Sequence, residues 1–261
     1  MQRQRNQHTN GNPAAGTVHA VHALEVTPEE LTEQGLALTG VGPRLQMALL
    51  ALGALFAVGV VGFVIRLSEG FDDRSRWGYT AAMVSYLLTT GQSAVLVSVG
   101  LRLAKGHWRR PIARAAEIFA VVGLLNLLLM IPLLLALPTG VGRNTLWLVS
   151  TWREGWPPGA PHAWDFITMA GLVVVGLALL YTAALPDFAA GRDHSTGWRQ
   201  RLYARLAWGF RGTPRQWKVL RAALGLVGAF YFIHLVVTHT LLVSDFALGL
   251  VPGWKDSIMP P

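Results

Sequence analysis

The residues able to do chemistry in this sequence are few, and most sit in apolar surroundings. His234, Thr238 and His239 interrupt one apolar run, and Asp245 follows it. At about 100° per residue on a helix, Thr238 falls about 40° and Asp245 about 20° from His234, so these three share a face if the helix continues through Asp245, with His239 off that face. Ser85, Thr89 and Gln92 lie within about 60° of one another on a second apolar run. Imidazole and carboxylate groups in such a setting can accept and pass protons. Polar groups in a membrane-length helix are costly unless partnered or functional, whereas Ser and Thr can also bond their own helix backbone. Two stripes on separate helices predict faces that meet inside a bundle. Glu117 lies one turn after Arg114, which fits an interfacial i,i+3 ion pair or a proton entry point. Asp187 follows Pro186 and is expected to end a helix. Asp165, beside Trp164 and near His162, opens another apolar run, where the helix dipole favours a carboxylate.

Cofactor chemistry within this chain is narrow. The absence of cysteine removes iron–sulfur ligation, covalent c-type haem, thiolate zinc sites and internal disulfides. The histidines inside apolar runs, His234 and His239, are about 140° apart on one helix and cannot hold the two faces of one haem. No metal or haem site of its own is expected.

The elements that must position these groups are membrane helices. Of 261 residues, 52% are hydrophobic and only 14% charged, against about 25% charged in soluble domains. Windows free of charged residues run 47–65, 77–101, 118–142, 166–186 and 222–244. Each is near or above the roughly 20 residues that cross a bilayer as a helix. The fold class predicted is an all-α polytopic membrane protein. Its five transmembrane helices are read as a four-helix bundle plus the first helix of an incomplete second bundle. The corresponding regions are 1–44, a polar cytoplasmic segment; 45–187, the four-span bundle; 188–218, a basic cytoplasmic loop; and 219–261, the fifth span with an outer-face segment. Within the first region, Thr27-Pro28-Glu29-Glu30 predicts a capped helix near 28–36. Sixteen of the 22 Lys and Arg lie on the side shared by the N-terminus and the second and fourth loops, and six on the other. Positive-inside loops then put that basic side in the cytoplasm, of a bacterial inner membrane in the simplest case. The basic loop also carries Trp198, Trp208 and Trp217. It reads as an ordinary positive-inside loop or as a dock for anionic lipid or a partner.

The run from His239 to Pro261 reads HTLLVSDFALGLVPGWKDSIMPP. It resembles the final motif of the NrfD-like, polysulfide-reductase-type membrane subunits, and is most similar to the quinol-oxidising membrane subunit of alternative complex III. Trp108-Arg109-Arg110, Ile112 to Glu117, Trp164-Asp165, Pro186 to Asp193, and Trp208 to Gly212 with Trp217 resemble further landmarks of that family in the same order. The resemblance covers roughly residues 44 to 261. Two departures stand out: Gln92 occupies the place of a histidine midway in the second span, and Pro138 to Trp147 lacks the histidine of the family's His-x-Gly-Arg-Pro-Trp element. The family also continues with several more helices, so the chain is expected to be truncated, split, or completed by a homologous partner.

The resemblance implies an integral membrane subunit of a respiratory quinol-linked oxidoreductase complex, not active alone. Quinol or menaquinol would bind near the outer face and pass electrons to an iron–sulfur partner, with haem and iron–sulfur clusters held only by partner subunits. Asp165, Asp245 and His239 would then be catalytic. His162, Trp164 and Gln92 would contact quinone, and Glu117, Asp187 and His234 would carry protons. The expected partners are the iron–sulfur subunit, a homologous membrane subunit or missing C-terminal half, and membrane lipid, with no nucleic acid. The alternative is a non-redox anchor or assembly subunit that has lost quinone binding. A small transporter is a third reading. Reporter fusions after Gly70, Lys105, Trp152, Trp198 and Trp254 are expected to alternate out, in, out, in, out; a cytoplasmic signal at Trp152 would overturn this topology.

Overall fold

The computed structural model describes residues 42–104, 109–136 and 162–243. The expectations placed on the first 41 residues, on residues 137–161, on Asp245 and on the closing motif lie outside them. Among the described residues there is no β-strand. Five helices are long and apolar enough to cross a membrane: α1 Pro43–Ser68, α2 Gly78–Leu103, α3 Ile112–Ala136, α4 His162–His194 and α6 Pro214–Leu242. A short helix, α5 Gly197–Leu206, joins α4 to α6. The chain is a multi-pass, all-α membrane protein.

Each span contains most of its apolar window and extends past at least one end of it. One long extension is at Pro186 and Asp187, where the helix was expected to stop. Instead α4 runs on to His194 with Pro186 inside it. Proline is tolerated in membrane helices where neighbouring groups compensate for the missing N–H bond. Here the extension is held by packing, because Tyr203 of α5 lies against Gly191 and Phe188 stacks on Tyr203 and meets Tyr181 at a tilt. α6 starts with a full capping box, in which Thr213 Oγ1 accepts from Gln216 N at 3.3 Å and Gln216 Oε1 accepts from Thr213 N at 3.3 Å. Pro214 follows at the first helical position.

The helices packed on one another are α2, α3, α4 and α6. This corrects the expected grouping, in which the first four spans formed the bundle and the fifth stood apart. The reason lies in what each helix offers. α1 carries no buried residue. Its contact with the rest is confined to one end, where Phe63 meets the core and Arg66 lies over the Trp77 ring at 5.2 Å. α6 offers small and polar groups instead. Its buried stripe runs Leu220, Leu224, Gly228, Tyr231, Leu235, Thr238 and Leu242, with the spacing of a left-handed helix seam. Glycines on α4 admit it closely. A Cβ on Gly176 would stand 2.9 Å from Tyr231 Cε2, and one on Gly171 would stand 2.9 Å from His234 Cδ2. Such small-residue contacts are the usual basis of helix association in lipid.

α2 is not a regular α-helix. Residues Leu87–Gln92 form a π turn, which inserts a residue and shifts the helix face. Ser85 and Thr89 are therefore exposed while Gln92 is buried, and the stripe expected from these three residues is not one face. Thr89 Oγ1 donates to Ser85 O at 2.8 Å, so its hydroxyl serves its own backbone.

Gly176→Ala is expected to destabilise the bundle by about 1–3 kcal/mol through overpacking against Tyr231. Gly225→Ala, where a Cβ meets nothing within 4 Å, is the control. Thermal unfolding of the two variants in one detergent measures the difference; equal midpoints would refute close packing at this crossing.

Candidate functional site

Buried polar groups occur at three levels of the bundle. The first is at the basic end, where α2 finishes and α3 begins. Glu117 is fully buried. Ser98 Oγ and the Arg102 guanidinium, both on α2, donate to its Oε1, the serine at 2.6 Å. Arg114 donates to Oε2 at 3.1 Å and with its other amino group reaches Asp187 of α4 at 2.8 Å. Arg102 Nε also donates to Ser98 Oγ at 3.3 Å. The expected i,i+3 pair with Arg114 is present, and it is one bond of a larger network. The Glu117 carboxylate is 0% exposed and enclosed by its donors, so it is not itself at the water interface. Asp187 is 62% exposed. The two acids, bridged by Arg114, line a cavity of about 840 Å³ together with Arg102, Trp217 and Arg221.

The second level is at mid-bundle. Asn126 of α3 donates through Nδ2 to Gln92 Oε1 at 2.7 Å, and Tyr231 donates its hydroxyl to the Gln92 backbone carbonyl at 2.7 Å. All three side chains are at most 1% exposed. Asn126 Oδ1 has no protein partner, so one buried acceptor remains open. Helical rise separates Asn126 from Glu117 by about 13 Å along α3.

The third level lies toward the opposite end, between α4 and α6. Thr238 Oγ1 donates within α6 to His234 O at 2.7 Å and lies 3.3 Å from Thr168 O across the interface. Thr168 Oγ1 stands 3.1 Å from Asp165 O and 3.0 Å from Trp164 O. Asp165 is fully buried in the first turn of α4. His162 opens that turn half-buried, and Trp164 is 38% exposed. His234 Nδ1 lies 2.9 Å from Phe230 O, and His239 Nδ1 2.8 Å from Leu235 O. A carbonyl oxygen can only accept, so those contacts make Nδ1–H the donor in both rings. His239 is buried.

Of the residues singled out in the sequence, the structure therefore brings Glu117 together with Asp187. It brings His234 beside Gly171 on α4, one turn from the Thr168 contact. Gln92 lies with Tyr231, about 10 Å deeper along α6 than Thr238, and so at a different level from His162, Trp164 and Asp165. The two expected polar stripes do not meet each other. Gln92 faces α3 and α6, whereas His234 and Thr238 face α4. Ser98, Arg102, Asn126 and Tyr231 are site residues that the sequence reading missed. A signal existed for two of them: Asn126 is the single polar side chain in 118–136, and Tyr231 the single tyrosine in 222–244. Among the described residues no three His, Asp or Glu side chains converge as a metal site would require.

The sequence matches no protein-family model and no curated protein.

Glu117→Leu is expected to destabilise the protein by about 2 kcal/mol. That is below the about 3–5 kcal/mol of a fully buried broken pair, since both guanidinium groups reach solvent. Glu117→Gln, which keeps an acceptor for Ser98 and Arg102, should lose less than Glu117→Leu. Unfolding midpoints of both variants test this, and identical midpoints would refute the network's structural weight.

Proposed function

We propose that the chain is an integral membrane subunit of a respiratory quinol-linked oxidoreductase complex, seated in a bacterial inner membrane with its basic end in the cytoplasm. The observation that carries this reading is the series of buried polar groups through the bundle: Asp165 and Thr238 toward one end, Gln92 and Asn126 midway, Glu117 at the other. Each such group is costly in a lipid-embedded helix unless it is partnered or functional. The resemblance of the closing motif to the NrfD-like subunits gives the series its chemistry. Oxidation of a quinol to a quinone releases two electrons and two protons. The electrons pass to an iron–sulfur cluster of a partner subunit, since this chain has no ligand set for one. Asp165, Asp245 and His239 accept the protons near the outer face, with His162 and Trp164 against the quinol ring. Asp187 faces the cytoplasm at the basic end, Glu117 lies buried behind it with Arg114 between them, and His234 lies between the outer groups and mid-bundle.

One observation favours the alternative, a non-redox anchor or assembly subunit of such a complex. Read along the sequence, Gln92 takes the place of a histidine of the resembling family, and its amide is bound by Asn126 at 2.7 Å. Neither group titrates, so mid-bundle proton transfer would need water there.

The two readings separate on purification of the intact complex. The redox reading expects bound quinone and quinol oxidation that falls on the order of 10²-fold in Asp165→Asn and in Asp245→Asn, with assembly retained. Normal turnover in both variants, or a complex free of quinone, would favour the anchor.

A further inference from the structure

The basic loop between α4 and α6 has a feature that positive-inside topology does not require. From His194 to Ser244 there is no Asp or Glu, while Arg199, Arg201, Arg205, Arg211, Arg215, Lys218 and Arg221 follow one another. An ordinary loop can interleave acids with its bases. Here seven cations lie between Arg199 and Arg221 without one carboxylate among them. The stretch is not loose chain. α5 lies against α4 through Tyr203, Tyr181 donates its hydroxyl to Leu206 O at 2.8 Å, and Arg192 donates to Phe210 O at 3.0 Å. Gln216 receives the Arg211 N–H at 2.8 Å.

These bonds frame a cavity of about 410 Å³ at the same end of the bundle, walled by Tyr181 and Leu185 of α4, Trp208 and Phe210 of the turn, and Val219 and Ala223 of α6. Its lining is almost wholly apolar, with the exposed Arg215 among its residues; Arg211, also exposed, follows Phe210 of the lining and is tied through its N–H to Gln216 of the lining. Trp208 is the unusual member. It is the described non-glycine residue with positive φ, at 44°, and its side chain is 82% exposed. A bulky residue in the left-handed region is strained, and an exposed indole gains nothing from the protein interior. A tryptophan at the boundary between an apolar slot and a cationic rim matches a membrane interface, where indole is favoured at headgroup level.

We propose that this cavity is a binding site for an anionic phospholipid. One acyl chain lies along Tyr181, Leu185, Val219 and Ala223, Trp208 stands at the glycerol level, and the phosphate is met by Arg215 and Arg211. The cationic loop selects the headgroup charge and the slot holds the chain, which is why both features occur together. The site is independent of any redox role of the chain.

Full-length protein in phosphatidylcholine vesicles containing a fixed fraction of dibrominated phosphatidylglycerol, or of dibrominated phosphatidylcholine, tests this. Bromine quenches nearby indole, and the difference between the wild-type protein and W208F isolates the Trp208 component. The expected result is a preference for brominated phosphatidylglycerol of about fivefold, the weight of one interfacial arginine, that vanishes in R211Q/R215Q. Retained far-ultraviolet dichroism in that variant keeps the comparison valid, since both arginines are exposed. Equal quenching by the two lipids would reduce the contact to ordinary annular lipid and overturn the proposal. A preference that survives R211Q/R215Q would remove the assigned phosphate site. A Trp208 component that neither lipid quenches would mean that protein, not lipid, covers the slot, and would also overturn it.

Discussion

Tyr231 joins three helices at the centre of the bundle, and the rest of the packing follows from it. Its ring occupies the space that a side chain at residue 176 would fill, so α4 and α6 approach as closely as a glycine allows. Its hydroxyl cannot remain unbonded in an apolar interior, and the carbonyl of Gln92 accepts it. That carbonyl sits at the end of the π turn of α2. One side chain thus sets the α4–α6 separation and ties both helices to an irregular point on α2. Asn126 then brings α3 to the same level through the Gln92 amide.

At the basic end a different interaction fixes the same helices. Glu117 is enclosed by groups from α2 and by Arg114 of its own helix, and Arg114 extends the network to α4. A buried carboxylate with two cations is weak evidence for stability in itself, because desolvation offsets much of the attraction. It is stronger evidence for register. Moving α2 by one residue against α3 would separate Ser98 and Arg102 from Glu117 together, since both lie on one helical face four residues apart. The bundle is therefore pinned at two depths by polar groups, and close glycine contacts lie between them, Gly91 against Val122 and Gly123 against Val173.

The spans were legible in the sequence because hydropathy is local: an apolar window such as Ala222 to Ser244 announces a helix without reference to any neighbour. What packs against what was not legible. α1 is as apolar as α3, with mean hydropathy 2.7 in each, yet none of its window is buried against 39% for α3. Hydropathy measures affinity for lipid or for protein interior alike, so it cannot separate a lipid-facing helix from a packed one. The pair Arg114 and Glu117 was legible as neighbours on one helix. The contribution of Arg102 was not, because it arrives from another helix 15 residues away in sequence. The helix end expected at Asp187 failed for a related reason: Pro186 is a local stop signal, overridden by the tertiary contacts of Gly191 and Phe188 with Tyr203.

The π turn of α2 also affects how this chain can be compared with any relative. Such a turn is an α-helix with one extra residue. A relative with a regular helix here would match this one on both sides of Leu87–Gln92 only across a one-residue gap. Counting straight through the span assigns positions correctly on one side and shifts each by one place on the other. Gln92 is the last residue of that turn, so its counterpart elsewhere has to be found by three-dimensional superposition, with the carbonyl that meets Tyr231 as the reference point.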